Sequence, residues 1–322
     1  MPPIVSAQTL RCPATGAPLR REGSELVTED GKRRYPVVGG VPVLIAEERS
    51  LFRLADFTDP VPAPVPSRAG RLARRIAARL PTDSANVGTD RHVARLLELL
   101  LETRGRPRVL VVGGGTLGAG MAPLLDHPGL DVTETDVWIG PRTVLVCDGH
   151  DLPFVDGSFD AVVCQAVLEH VLDPPRVVAE IHRVLAPDGL LYVEVPLIQQ
   201  VHEGAFDFTR YTAVGLRRLM RDFDELASGV TCGPAMALAW SLRYLAVAAA
   251  GRSRPGTRLA AHLVPLLTFW LPWLDRRLLD RPGALDAASS LGFLGRRRER
   301  PIDDAEVVAS YRGANSTPSG RR

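Results

Sequence analysis

The densest group of reactive side chains in the chain lies between residues 202 and 211, where HEGAFDFTRY supplies His202, Glu203, Asp207, Arg210 and Tyr211. Histidine is the side chain whose ordinary charge change falls nearest neutral pH. His202 is therefore the candidate general base, with Asp207 or Glu203 to orient its ring. Arg210 could anchor an anionic group such as a phosphate or carboxylate. The competing reading is a salt-bridged loop that shapes a lid and moves no proton. A second constellation is spread further apart. Gly113-Gly114-Gly115-Thr116-Leu117-Gly118 has G-x-G-x-x-G spacing, and Asp136 stands 21 residues after Gly115. Asp148 and Gln165 each follow an apolar run. A glycine loop lets backbone N–H groups approach a ligand, and a carboxylate one strand later can accept from a ribose diol.

These residues need a frame, and the apolar runs provide one. Segments 108–112, 131–136, 144–147, 159–164 and 190–195 read as strands, mostly buried ones. Helices are expected at 92–103, with Thr89 or Asp90 as cap, and from Pro174, where Asp173 caps and proline needs no N–H. The result is an α/β chain with a Rossmann-like, doubly wound sheet. Such sheets bind ligands at the carboxyl ends of their strands. Only residues 137–142 separate the second strand from the third. A crossover helix needs a dozen residues or more, so that helix is expected to be missing and the site shallower on that side.

The wording LPF-x-DGSFD-x-V, then LEHV, then RVL-x-P-x-G, between residues 152 and 189, resembles class I S-adenosylmethionine-dependent methyltransferases, the ubiquinone/menaquinone type especially. The resemblance covers 89–232. It implies S-adenosyl-L-methionine as cofactor, held by Gly113, Gly114, Gly115, Asp136 with Val137, Asp148 with Gly149, and Gln165. Asp136 would take the ribose hydroxyls, Asp148 the adenine amino group, and Gln165 a place beside the methyl. Glu169 and His170 of LEH are expected to fix the loop before Pro174. The family's usual acidic-x-G-x-G-x-G loop is altered, with Val111 at the acidic position and Leu117 at the third glycine. The stretch after the fifth strand resembles bacterial methyltransferases of glycan or secondary-metabolite pathways.

The flanks read differently. Residues 1–48 form a small β-rich unit whose CP-x-x-G-x-PL and YPV-x-GG-VPVLI resemble the zinc-ribbon-like activator of tRNA methyltransferases. Zinc needs four ligands, and Thr15 stands where a partner for Cys12 would be, so no metal is expected there or elsewhere. Residues 49–88 hold a Pro-rich linker, DPVPAPVPS, and a basic amphipathic helix, RAGRLARRIAARL. Residues 233–300 read as an apolar helical extension, with 236–250 and 259–274 too short to span a bilayer. Trp270 and Trp273 before Arg276 and Arg277 suit an interface, so the 236–274 region is either a subdomain, a homodimer surface or a peripheral membrane contact. Residues 301–322 are expected to be a disordered tail.

Composition excludes little. The net charge of +2 among 322 residues argues against nucleic acid as a partner, and Lys32 is the only lysine. Cys12, Cys147, Cys164 and Cys232 show no paired spacing and read as free thiols of a reducing compartment. The first ten residues lack the charged and apolar regions of a signal peptide, so a cytoplasmic chain is expected, with membrane-peripheral placement as the variant. The expected function is methyl transfer to a small-molecule, glycan or lipid-linked acceptor. The alternatives are methylation of tRNA or a translation factor, and a non-catalytic methyltransferase-like scaffold.

Overall fold

Short runs of Val, Leu and Cys with turn residues between them set the architecture of the computed structural model, which describes residues 9–58, 84–103 and 105–316. Four N-terminal strands, β1 (Leu19–Glu22), β2 (Glu25–Thr28), β3 (Arg34–Val38) and β4 (Val41–Leu44), form an antiparallel meander. A single turn, α1 (Ala55–Thr58), follows, and then α2 (Thr89–Leu101). α2 buries Val93, Leu96, Leu99 and Leu100, an i, i+3, i+6, i+7 stripe. Thr89 does not cap it, because its hydroxyl is drawn inward to Glu194. The strands β5 (Arg108–Val112), β6 (Asp131–Asp136), β7 (Leu145–Cys147), β8 (Phe159–Gln165) and β9 (Leu185–Pro196) appear where the apolar runs predict them. Between them lie α3 (Ala122–Leu125) and α4 (Pro174–Val184). The Asp173 side chain accepts from Arg176 N at the start of α4, and Val177, Ile181 and Val184 face the sheet. Then come α5 (Ala213–Leu219), β10 (Phe223–Cys232), α6 (Pro234–Ala249), α7 (Arg254–Thr268), α8 (Leu271–Leu278), α9 (Pro282–Asp286), β11 (Ser290–Arg297) and α10 (Asp304–Ala309).

All eleven strands join in the order β1-β2-β3-β4-β7-β6-β5-β8-β9-β11-β10. From β4 to β9 the pairing is parallel, and β11 runs antiparallel between β9 and β10. One apolar core packs α4 against one face, and a second packs α2 against the other.

Three expectations change. The unit expected at 1–48, described from residue 9, is joined to the main sheet, because β4 adds in parallel to β7 through Val43 opposite Val146 and Leu44 opposite Cys147. The segment 233–300 is not all helical. SLGFLGRR alternates poorly but buries both faces as β11, so the sheet continues past residue 232. The tail from 301 is ordered at its start: Asp303 and Glu306 form a reciprocal capping box on α10, with Ile302 and Val307 buried. The Pro-rich linker, the basic helix expected at 68–80 and residues 317–322 lie outside the described residues. The connection from β6 to β7 carries no helix, as its length requires. No helix among the described residues is long and apolar enough to cross a membrane. All four cysteines are buried free thiols.

Candidate active site

Parallel strands of one sheet place their carboxyl ends on one edge, and here that edge carries a cavity of about 620 Å³. Gly113 after β5, Asp136 and Val137 at the end of β6, and Asp148 and Gly149 after β7 line it. Gly114 and Gly115 are buried behind its wall. Gln165 does not line it. That residue faces a second cavity of about 320 Å³, which shares Gly113, Thr116 and Ala166 with the first.

The glycine loop works differently from the expectation. The N–H groups of Gly113 and Gly114 both donate to the Thr135 carbonyl, at 2.9 and 2.8 Å. Gly115 N–H donates to Asp136 Oδ2 at 2.8 Å. All three donors therefore hold the loop against β6 instead of facing a ligand. The helix that follows, α3, is a single turn beginning at Ala122, too short and too distant to supply the expected helix N-terminus. What the loop contributes is absence of side chains. Gly113 has φ +80°, and a Cβ there would overlap Val167. The truncated connection after β6 packs directly on the loop, and a Cβ at Gly140 would overlap the Gly115 carbonyl. Arg142 fixes that connection by bridging Glu134 at 2.7 Å and Asp126 at 2.9 Å.

Asp136 accepts Val137 N–H on Oδ1 and Gly115 N–H on Oδ2. The backbone and indole N–H groups of Trp138 also act on this carboxylate, so the chain itself engages most of its acceptor positions. Burial raises this carboxyl against the backbone donors that lower it. Asp148 is more fully engaged. Its Oδ1 meets His150 Nδ1 at 2.6 Å and His150 N at 3.0 Å, and its Oδ2 accepts Ser50 Oγ–H at 2.6 Å. Asp173 N–H donates to His150 Nε2, so that ring carries its hydrogen on Nδ1. Burial pushes the Asp148 carboxyl up, but the bonds from His150 and Ser50 outweigh it and hold the group below the usual range. One acceptor position remains on this carboxylate, on Oδ2.

Ser50 brings an unexpected wall. Arg49, Leu51 and Phe52 line the cavity, Arg49 pairs with Asp151 at 3.0 Å, and Phe52 stacks on Phe206 with ring centroids 6.2 Å apart. The N-terminal segment thus covers the side where the missing crossover helix predicts a shallow site.

The reactive cluster at 202–211 divides into separate jobs. Arg210 holds Asp207 in a two-pronged ion pair and also donates to the carbonyls of Gln199, Gln200 and Thr209. Its donors are occupied within the loop, so it does not offer the expected anion anchor. Arg210 holds the Asp207 carboxyl well below the usual range. Asp207 Oδ2 accepts His202 N–H at 2.9 Å and stands 3.5 Å from His202 Nδ1. It positions the loop more than the ring. Glu203 is exposed at the cavity rim, with no hydrogen bond to the His202 ring among the described residues. His202 itself lines the cavity, and its Nε2 meets His170 Nε2 at 3.2 Å. Glu169 O accepts Phe208 and Thr209 N–H, which ties this loop to the 208–209 segment and not to the helix start at Pro174, and Glu169 lines the second cavity. Burial pushes its carboxyl up to about 8. Among the described residues, Glu169, His170 and His202 bring donor atoms within 4.8 Å of one another.

Glu194 lies outside every expectation above. It lines the second cavity at 4% exposure and accepts from Thr89 Oγ at 2.5 Å, Gln165 Nε2 at 2.6 Å and the Tyr192 hydroxyl. Burial raises this carboxyl. Its signal was available: one acid inside the apolar run LLYVEVP has to find buried donors. Gln165 is thus a support for Glu194. Ala166, on the wall between the cavities, has φ 54°, a conformation that costs a residue with a Cβ and clusters at functional sites.

A family model described as a methyltransferase domain matches residues 112–193. An uncharacterized 37.1 kDa protein in transposon TN4556 of Streptomyces fradiae is 33% identical over 196 residues, 56% of this chain and 55% of that protein. The demethylmenaquinone methyltransferase of Renibacterium salmoninarum is 35% identical over 121 residues, 34% of this chain and 50% of that enzyme. The chain spans about half the length of these curated relatives. Among solved structures, phosphoethanolamine N-methyltransferase 2 of Haemonchus contortus, in complex with S-adenosyl-L-methionine, aligns at a TM-score of 0.41 and 16% identity, over 65% of this chain and 53% of that one. The matched segment runs from the end of β5 into β9, so the part of this chain that resembles a methyltransferase domain is the part that carries the strand-end cavity.

Proposed function

We propose that this chain methylates a small polar acceptor, or the polar head of a glycan- or lipid-linked one, with S-adenosylmethionine as donor. The observation that carries the reading is the cavity on the strand ends, where Gly113, Asp136 and Asp148 converge on about 620 Å³. That volume lies within the ordinary range for ligand sites, roughly 300–1,000 Å³. The residues fit the cofactor: Asp136 presents a carboxylate at the end of β6 to a ribose diol, which would take the place of the Trp138 donors, and Gly113 leaves the floor bare. When bound, the cofactor supplies an electrophilic methyl group on a sulfonium. The chain's own part is to hold two reactants in line, which is where most of the acceleration comes from. The 320 Å³ cavity, reached across Ala166 and Gly113, is the acceptor site in this reading. Its lining mixes Val111, Met121 and Met236 with Glu169, Glu194 and Gln199, which suits a compact polar group better than a long alkyl chain. Of the expected catalytic trio, His202 and Glu203 line the cofactor cavity and not the acceptor cavity, and Asp207 positions the His202 loop, so in this reading a base role for His202 requires the acceptor to reach across the wall at Ala166.

A lipid-linked acceptor is favoured by the surface of α6, α7 and α8. Leu245, Leu259 and Leu267 are 67%, 65% and 64% exposed, beside Trp270 and Trp273. Arg276 lies over the Trp273 ring at 4.2 Å. We read this face as a peripheral membrane contact. Calorimetric titration with S-adenosylmethionine tests the central claim. Wild type should bind with one site, and Asp136→Ala should bind about 10- to 100-fold more weakly, the loss of a charge-assisted pair. Equal affinity in both proteins would sink the assignment.

A further inference from the structure

His170 and His202 are held in a way that a methyl-transfer base does not require. His170 Nδ1 lies 2.7 Å from the Phe206 carbonyl oxygen, and His202 Nδ1 lies 3.2 Å from that of Gln200. A carbonyl oxygen only accepts, so each Nδ1 carries a hydrogen and each neutral ring presents a bare Nε2. Those two nitrogens face each other at 3.2 Å. Two lone pairs hold that separation only with a proton or a cation to bridge them. Glu169 favours the cation. Its side chain is 1% exposed, its Oε1 stands 3.7 Å from His170 Nε2, and its Oε2 is buried without a hydrogen-bond partner among the described residues.

We propose that Glu169, His170 and His202 form a binding site for a divalent transition-metal ion of the zinc class. Two imidazoles and one carboxylate are a donor set that such ions take, with at least one position left open. With metal–nitrogen bonds of 2.0–2.1 Å, a tetrahedral edge is about 3.3 Å, close to the observed Nε2–Nε2 separation. Both Nδ1 hydrogens go to backbone carbonyls, the outer support that metal-bound histidines show almost always. Asp207 beside His202 is neutralised by Arg210, so Glu169 supplies the site's uncompensated charge. The sequence offers no metal signature because the ligands are split, with one pair on the loop after β8 and the third 32 residues on from His170. His170 and His202 line the first cavity and Glu169 the second, so an open position lies at the junction of the two. There the ion would bind an acceptor oxygen and lower its pKa. That role rests on the function proposed above; the existence of the site does not.

The test uses the full chain, freed of metal with a chelator and dialysed. Cobalt(II) is titrated and followed by its visible absorption, zinc by calorimetric competition, and the same samples are titrated with S-adenosylmethionine. One ion should bind per chain with the intense bands of a low-coordinate cobalt site. His170→Ala, His202→Ala and Glu169→Gln should each weaken it by about 100-fold or more, since even supporting residues cost 10- to 100-fold. Circular dichroism checks that each variant is folded, and Glu169→Gln keeps the volume should a histidine variant fail. No cobalt site in wild type, or equal affinity in folded Glu169→Gln, overturns the proposal. So does a single shared proton between the two rings seen by NMR in the presence of zinc. Cofactor binding without metal binding would refute the metal site alone. Metal binding without cofactor binding would leave the site standing and refute the methyl-donor reading.

Discussion

Ser50→Ala tests whether the N-terminal segment is a structural wall of the cofactor cavity. The Ser50 hydroxyl donates to buried Asp148 Oδ2 at 2.6 Å and accepts the Phe52 N–H at 3.1 Å. The neighbouring Arg49–Asp151 pair has a 42% exposed arginine, and exposed pairs contribute 1 kcal/mol or less. Of these two polar links between residues 49–52 and the cavity, Ser50 is therefore the stronger. A hydrogen bond to a charged, buried acceptor is worth about 1.5–3 kcal/mol, so urea unfolding at pH 7 should show Ser50→Ala less stable by about that amount. In an Asp148→Asn background the acceptor is neutral, and the same substitution should cost only about 1 kcal/mol. The cycle then isolates a coupling of about 0.5–2 kcal/mol, as expected for contacting residues. Leu51 and Phe52 line the cavity, so loosening their anchor should also weaken S-adenosylmethionine by roughly 10-fold, equivalent to about 1.4 kcal/mol. Refutation is simple to recognise: a stability change under about 0.5 kcal/mol, the size of an ordinary surface substitution, together with unchanged cofactor affinity. The segment would then be an appendage of the sheet edge and not part of the site.

Glu194→Ala would leave the Thr89, Tyr192 and Gln165 donors without their shared acceptor; at about 1–3 kcal/mol per orphaned group, a loss of about 3–9 kcal/mol is expected, read as a fall of roughly 5–15 °C in Tm. A Tm within 2 °C of wild type, about what 1 kcal/mol would produce, would mean that the network is dispensable. Ala166→Gly should raise stability by about 1 kcal/mol, because glycine adopts φ 54° without the Cβ penalty; a loss in denaturant melts would show the conformation to be unstrained. Wild-type protein should co-sediment with vesicles of mixed neutral and anionic lipid, and Leu267→Asp with Trp270→Asp should reduce that binding 10-fold or more, given about 1.5–3 kcal/mol per large apolar side chain. Equal sedimentation of both proteins would remove the membrane face.

Much of the frame was legible from residues alone. Runs such as RVLVV and FDAVVC are buried on both faces, so apolarity and length suffice to mark β5 and β8. Asp173 before two prolines marks the start of α4 because cap and first turn are local chemistry. β11 was not legible: its place between β9 and β10 depends on antiparallel pairing with residues about a hundred positions away. α10 lies in a polar stretch, and its order depends on the pocket that receives Ile302 and Val307. At the site, the sequence places Asp136 and Asp148 at strand ends but says nothing of which lone pairs the chain itself occupies. The glycine loop shows this most clearly, since Thr135 and Asp136 take the donors that the motif suggests are free for a ligand.

One departure from the usual pattern accounts for several of these differences together. With residues 137–144 too short for a crossover helix, the edge of the sheet at β7 and one side of the cofactor cavity would face water. β4 pairs with that edge, which satisfies its backbone groups. The chain continuing from β4 then passes over the strand ends, where Ser50 meets Asp148 and Phe52 reaches Phe206. A segment resembling a separate activator unit thereby becomes part of the cavity wall of the domain it adjoins. The aromatic contact matters beyond coverage. Phe206 also presents the carbonyl that fixes His170 Nδ1, so the N-terminal segment touches the loop that orients one of the two facing histidines. Removing residues 9–58 should therefore impair more than cofactor binding. It should free the 204–206 turn and, with it, the ring orientation on which any chemistry at His170 and His202 depends. Cobalt titration of Phe52→Ala separates the effects: weaker metal binding with a normal Tm would show that the wall and the histidine pair are mechanically linked, and unchanged metal binding would show that they are independent.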